Sequence, residues 1–257
     1  MRMLDGKVVV VTGGSSGIGR AIALAAARHG AAAVVVGDIR ETPREGGQPI
    51  VEELRQHGAT AHYCETDVSR PESVAGLMAV AAELGGVDLM ACNAGILIDA
   101  DGADVTIEGY RRVMSINADG VLYSAQAAAA QMKDKQKSGS IVLTSSIGGM
   151  RGFGRAVAYS SSKGAVRMMA ASLADALGPD GIRVNAVCPG FVATQMMALG
   201  PVGDDSANSV FGQNTPLRRL GKPAEIGEAV CWLGSDLASF VTGVSLPVDG
   251  GLSSVIY

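Results

Sequence analysis

The feature that most constrains this 257-residue chain is a rhythm in which short apolar, β-branched runs recur between longer Ala/Leu-rich stretches. The runs are KVVVVT (7–12), AAVVVG (32–37), TAHYCE (60–65), VDLMAC (87–92), SIVLTS (140–145), IRVNAV (182–187) and VSLPVD (244–249). Most are apolar throughout instead of alternating, which is the pattern of strands covered on both faces. The stretches between them, such as GRAIALAAARHG and AVRMMAASLADALG, have helical spacing and close on glycine. Strand, helix, strand, repeated, predicts right-handed crossovers and a parallel sheet with helices on both sides. No composition break divides the chain, so residues 1–257 read as a single α/β domain.

A hydrophobic fraction of 47% and a charged fraction of 18% suit a packed core. The net charge of −4 argues against nucleic acid or an anionic membrane surface as partner. Lys133, Lys135 and Lys137 are interrupted by Asp134 and read as a solvated helix end. No apolar run approaches bilayer length, and the opening MRMLDGKVVVVTGG lacks the layout of a signal peptide. Cys64, Cys92, Cys188 and Cys231 form no CxxC pair and read as free thiols, which implies a reducing, cytoplasmic home. His29, His57 and His62 lack ligand spacing and read as surface residues, so no metal site is expected. Two regions break the rhythm. Residues 40–50, RETPREGGQPI, read as a polar loop, and 194–216 read as a substrate loop or lid.

The segment TGGSSGIGRAIA (12–23) follows the first strand, with Gly13, Gly17 and Gly19 spaced G-x-x-x-G-x-G. Missing Cβ atoms on a strand-to-helix turn let backbone approach a pyrophosphate, which sits on the helix N-terminus. Asp38 closes the second strand 19 residues past Gly19, where a carboxylate hydrogen-bonds the adenosine ribose of NAD and repels the 2′-phosphate of NADP. Ser16 brings no positive charge to the turn, while Arg40 is a counter-signal; NAD is favoured over NADP. The fold class is therefore a Rossmann-type doubly wound sheet.

In AYSSSKGAV (158–166), Tyr159 and Lys163 stand four apart, neighbours on one helical face. An ammonium beside a phenol favours the phenolate and so suits general acid/base work. Ser145 and Ser146 end a strand, with Ser146 13 residues before Tyr159, at the sheet edge where ligands sit.

These segments together resemble the short-chain dehydrogenase/reductase family, of the single-domain type. The resemblance rests on TGGSSGIG (12–19), DV (67–68), NAG (93–95), SIN (115–117), SS (145–146), YSSSK (159–163), CPGFVAT (188–194), GKPAEIGEAVCWLGS (221–235) and VDGG (248–251). It implies an NAD-dependent oxidoreductase moving a hydride between nicotinamide and an alcohol/ketone pair. Tyr159 would be the general acid/base, Lys163 would lower its pKa and bind the nicotinamide ribose, and Ser146 would hold the substrate oxygen. Asn117 would anchor a water in the relay to Lys163. The cofactor would meet Gly13, Ser15, Ser16, Gly17, Ile18 and Gly19 of the turn, the carboxylate of Asp38, and the pair Asp67 and Val68 at the adenine. Asn93 and Gly95 would form its floor, with Pro189, Val192 and Thr194 near the carboxamide and Tyr159 and Lys163 at the ribose.

Candidate pocket walls are Leu97, Ile98, Met150, Phe153, Phe191, Met196, Met197 and Phe211, an apolar set suited to a ketone or secondary alcohol of moderate size. Arg151 and Arg155 flank Phe153 and read as solvated. The family expectation is a homotetramer built on helices near 105–136 and 157–177. Two alternatives stand beside this reading. One is an NADPH-dependent reductase of 3-oxoacyl thioesters; the other is a non-catalytic dinucleotide sensor, which would normally have lost the Tyr or the Lys.

Overall fold

The computed structural model describes residues 2–198 and 211–254. Seven strands form one sheet: β1 (Val8–Thr12), β2 (Ala33–Asp38), β3 (Thr60–Glu65), β4 (Leu89–Cys92), β5 (Gly139–Thr144), β6 (Ile182–Pro189) and β7 (Ser245–Val248). The helices are α1 (Gly17–Arg28), α2 (Ile50–Gln56), α3 (Pro71–Glu83), α4 (Ile107–Met114), α5 (Gly120–Asp134), α6 (Val157–Leu177), the short α7 (Gln195–Ala198) and α8 (Pro223–Gly234).

All strand pairs are parallel, in the order β3-β2-β1-β4-β5-β6-β7. The chain winds outward from β1 to β3, then returns to the other side of β1 with β4. Loops diverge at such a reversal and open a crevice at the carboxyl ends of the strands. The turns after β1 and β4, the glycine turn and the Asn93–Gly95 turn, both lie there.

Alternate strand residues feed two apolar layers. Val9, Val11, Val34 and Val36 pack with Ile22 of α1, Ile50 and Leu54 of α2, and Ile226 and Val230 of α8. Val8, Val10 and Val35 face Leu77 of α3, Val121 and Met132 of α5, and Val166 of α6. Each fully buried valine contributes about 1.5 kcal/mol or more, so this double layer is the main driving force for the sheet. Residues of AQAAAA (125–130) divide accordingly: Ala125, Ala128 and Ala129 are buried, while Gln126 and Ala130 face solvent.

Two elements differ from expectation. The expected single helix over 105–136 runs from Ile107 to Asp134 but widens at Ser115–Asp119 into one π turn between α4 and α5. His29 is half-buried, not a loose surface residue: its Nε2 lies 2.5 Å from Glu228 Oε2, and Arg28 reaches the same carboxylate at 3.1 Å. These contacts clamp α1 to α8. Of the expected lid, residues 194–198 and 211–216 are described, with 195–198 forming α7; residues 199–210 lie outside the described residues.

Candidate active site

The turn after β1 is built by glycine chemistry. Gly13 has φ +64°, and a Cβ on Gly19 would stand 2.0 Å from Gly13 O. Only glycine permits that approach. The turn is then stapled to the end of β4. Thr12 Oγ1 accepts from Asn93 N (3.0 Å) and Ala94 N (3.2 Å), and Asn93 Nδ2 donates to Thr12 O (3.2 Å) and Gly13 O (3.3 Å). Asp38 Oδ2 accepts from Ser15 N at 3.1 Å, which fixes the carboxylate beside the turn. Tyr63 donates to Asp38 O at 2.9 Å, and burial, then the Asp38 charge, pushes its phenol up to about 12.

These residues fit a dinucleotide. The Ser15 hydroxyl is buried with no partner among the described residues, a costly state for a polar atom. The glycine cradle would be filled by a single methyl at position 19. Gly17, Ile18 and Gly19 open α1, whose first amides lack intrahelical acceptors. Thr194 stands over them, its methyl 3.6 Å from where a Gly17 Cβ would be. Val192 is buried and bridges to Gly221, while Pro189 ends β6 opposite Val248.

Asp67 and Val68 are differently disposed. Hydrogen bonds from Ser69 N (3.0 Å) and Ser69 Oγ (2.6 Å) hold the Asp67 carboxyl below its usual range. Val68 is buried against the Gly120 backbone, so its side chain belongs to the core.

Four candidate catalytic residues converge at the carboxyl ends of β4 and β5. Ser146 Oγ accepts from Gly148 N at 3.0 Å, and the Tyr159 ring edge packs against the same Gly148. Lys163, 2% exposed, lies 5.7 Å from the centre of the Tyr159 ring and donates to Thr144 O at 2.7 Å. Ser145 ties the same helix to β5, donating to Lys163 O at 2.8 Å. Asn117 lies in the π turn and is fully buried. Its Oδ1 accepts from Ile96 N (2.8 Å), and its Nδ2 donates to Ile96 O (2.9 Å) and Ser162 Oγ (3.1 Å). The side chain is thus fully engaged. Gly95 lies between the two, a Cβ there being 3.3 Å from Asn117 Oδ1 and 3.6 Å from Lys163 Nζ.

The electrostatics correct one expectation. Lys163 was expected to lower the Tyr159 pKa. Within the protein, burial dominates and pushes the phenol above its usual 10, with the Ser146 hydroxyl pulling the other way. Burial also pushes the Lys163 ammonium down to about 8. Both charged forms are desolvated, and burial is the larger influence on each.

Beside Ser146, a cavity of about 170 Å³ is lined by Ile147, Phe153, Phe191, Phe211 and Leu252, with Arg151, Asn214 and Ser253 at its polar edge. Ring centres of Phe153 and Phe191 lie 6.3 Å apart, and those of Phe191 and Phe211 4.5 Å. Phe153 and Tyr159 both approach the backbone of Gly148, so the phenyl wall adjoins the phenol. Three of the eight expected wall residues line this cavity. Leu97, Ile98, Met150, Met196 and Met197 do not, and Met196 is exposed. The two arginines are exposed but engaged: Arg155 holds Asp99 through two bonds (3.1 and 2.9 Å), and Arg151 donates to Ser253 O at 2.9 Å. Sequence reasoning missed Thr12, Ile96, Thr144 and Ser162, whose roles depend on backbone partners far away in the chain, and missed Leu252 and Ser253 at its far end.

Comparison with known proteins agrees with this geometry. The sequence model of the family described as Enoyl-(Acyl carrier protein) reductase matches residues 13–253. The chain is 37% identical over 253 residues to an L-rhamnose 1-dehydrogenase (NAD(P)(+)) of Sphingomonas sp. (strain SKA58), covering 98% of each. It is 39% identical over 251 residues to the cis-4-hydroxycyclohexanecarboxylate dehydrogenase of Sinomonas cyclohexanicum, covering 97% of each. Among solved structures, a short-chain type dehydrogenase/reductase from Mycobacterium marinum superposes with a TM-score of 0.88 at 34% identity, covering 97% of this chain and 96% of that one.

Proposed function

This chain belongs to the short-chain dehydrogenase/reductase family and is an oxidoreductase that uses a nicotinamide cofactor on CH–OH donors; on that premise we propose that it interconverts a cyclic secondary alcohol and its ketone with NAD, through Tyr159. The observation that carries this reading is the convergence of Ser146 and Tyr159 on Gly148 at the edge of a phenyl-walled cavity, with Lys163 over the Tyr159 ring. A dry cavity of about 150 Å³ is known to hold one benzene ring, so the cavity here matches a single six-membered ring. A sugar would find few partners for its hydroxyls among three phenyl groups.

The substrate oxygen would rest between Ser146 Oγ and Tyr159 Oη. In oxidation, Tyr159 takes the hydroxyl proton; in reduction, it returns one to the carbonyl oxygen while Ser146 holds that oxygen in place. A bound NAD would supply the ring carbon that accepts the hydride and, when oxidised, the positive charge the buried phenol lacks. Bringing a phenol from 10 to neutrality takes roughly 4 kcal/mol, and burial adds to that requirement. Lys163 Nζ carries the proton onward toward Asn117. The Asn117 side chain there is already engaged by Ile96 and Ser162, which fixes the π turn beside the relay.

Asp38, fixed against Ser15 N, supports NAD over NADP. Four free thiols support a reducing cytoplasm. Ile107 (68% exposed) on α4 and Met168 (63%) on α6 are apolar groups that a homotetramer would cover. The test of the central role is Tyr159→Phe. It should lower kcat about 10²–10⁴-fold while leaving NADH affinity nearly intact. Retention of most of the activity would exclude Tyr159 as the acid/base.

A further inference from the structure

The first amide of α1, Gly17 N, donates to Glu45 Oε1 at 2.9 Å. Glu45 belongs to the polar loop between β2 and α2, which folds back over the glycine turn. Arg44 N donates to Ser16 Oγ (2.8 Å), Gln195 Nε2 to Arg44 O (2.7 Å), and Arg20 Nη2 to Gln48 O (3.0 Å). A carboxylate therefore occupies the end of α1 where unpaired amides and the helix dipole attract an anion. In the same turn the Ser15 hydroxyl is buried with no partner among the described residues, so the covering loop does not satisfy it.

We propose that Glu45 is an affinity-determining residue for the cofactor: an internal competitor whose carboxylate holds the amide that the dinucleotide pyrophosphate needs. The inference rests on the dinucleotide reading given above. Two anions cannot share one amide, so binding requires Glu45 to leave. Glu45 is exposed, and the loop is anchored at both ends by paired Asp38 and buried Ile50, so it can release the turn without disturbing the sheet. Ser16 is released in the same motion, because Arg44 N and Glu45 belong to one strap. An anion at a helix N-terminus is worth about 0.3–1 kcal/mol, and only the open fraction binds ligand. The carboxylate then weakens cofactor binding roughly three- to sixfold.

The test is titration calorimetry of NADH and NADPH against the full chain, its Glu45→Ala variant and its Glu45→Gln variant. Glu45→Ala should tighten both ligands roughly three- to sixfold, with Glu45→Gln, which keeps a weaker acceptor, between it and wild type. Unchanged or weaker NADH binding in both variants would overturn the proposal. Tightening confined to NADPH would overturn it too, because the charge would then act on the 2′-phosphate and not on the shared pyrophosphate. If neither wild type nor variant binds either dinucleotide, the dinucleotide reading itself fails and the proposal falls with it.

Discussion

Replacing Lys163 with methionine should leave the fold as stable as the wild type, or more so, while removing activity. Burial pushes the Lys163 ammonium down to about 8 from its ordinary 10.5. That displacement, at about 1.36 kcal/mol per pH unit, means the fold gives up about 3 kcal/mol to keep the charge near pH 7. Methionine keeps an apolar stem of similar length and sheds the charge. It also leaves Thr144 O without the 2.7 Å donor, at a cost of about 1–3 kcal/mol. The net expectation near neutrality is a variant between equal and about 2 kcal/mol more stable. The sign has a pH signature. Between about 8 and 10.5 the unfolded chain holds a proton that the folded wild type has lost, so the Lys163 contribution to stability rises with pH across that window. The variant lacks this rise, and its advantage should shrink or reverse by about pH 10. Thiols at Cys64, Cys92 and Cys231, pushed up by burial, are common to both proteins and cancel in the difference, whereas Cys188 feels the Lys163 charge, so the comparison is made in a Cys188→Ala background. Parallel guanidinium denaturation at about pH 7 and about pH 10 reads the effect, with kcat falling about 10³-fold. A stability difference that is the same at both pH values would refute the reasoning, because it would mean no penalised charge sits at position 163.

Asp38→Ala removes the carboxylate fixed beside Ser15 and should cost NAD about tenfold in kcat/KM while moving preference toward NADP. Steady-state comparison of the two cofactors checks it, and an unchanged ratio would count against Asp38. Gly19→Ala should destabilise the fold by about 3 kcal/mol or more, since its methyl would stand 2.0 Å from Gly13 O and 2.6 Å from Asn93 Nδ2. Chemical denaturation reads that loss, and wild-type stability would contradict it.

The sheet was legible because most of its strands, β1, β2, β4, β5 and β6, are apolar on both faces, a pattern that fixes their surroundings without any long-range knowledge. Helix α6 was legible for a similar reason, its Val157–Leu177 span following the period of its apolar residues. The π turn was not, because nothing in SINAD (115–119) signals it locally; Asn117 is held by Ile96, 21 residues earlier. The same limit explains Glu45. Residues 40–50 announce a loop through Pro and Gly, but not the amide it covers. The wall of the cavity shows both outcomes, since the three phenylalanines were found while Leu252 and Ser253 arrive from the other end of the chain. The ionisation of Tyr159 was only partly legible: spacing gives the Lys163 neighbour but not the burial that raises the phenol.

Ultraviolet difference titration of the wild type against Tyr159→Phe, with and without saturating NAD, measures the ionisation on which the mechanism depends. The account predicts a phenol ionising above 10 in the free protein and much closer to neutrality with NAD bound. A phenol that stays above 10 in both states would contradict it.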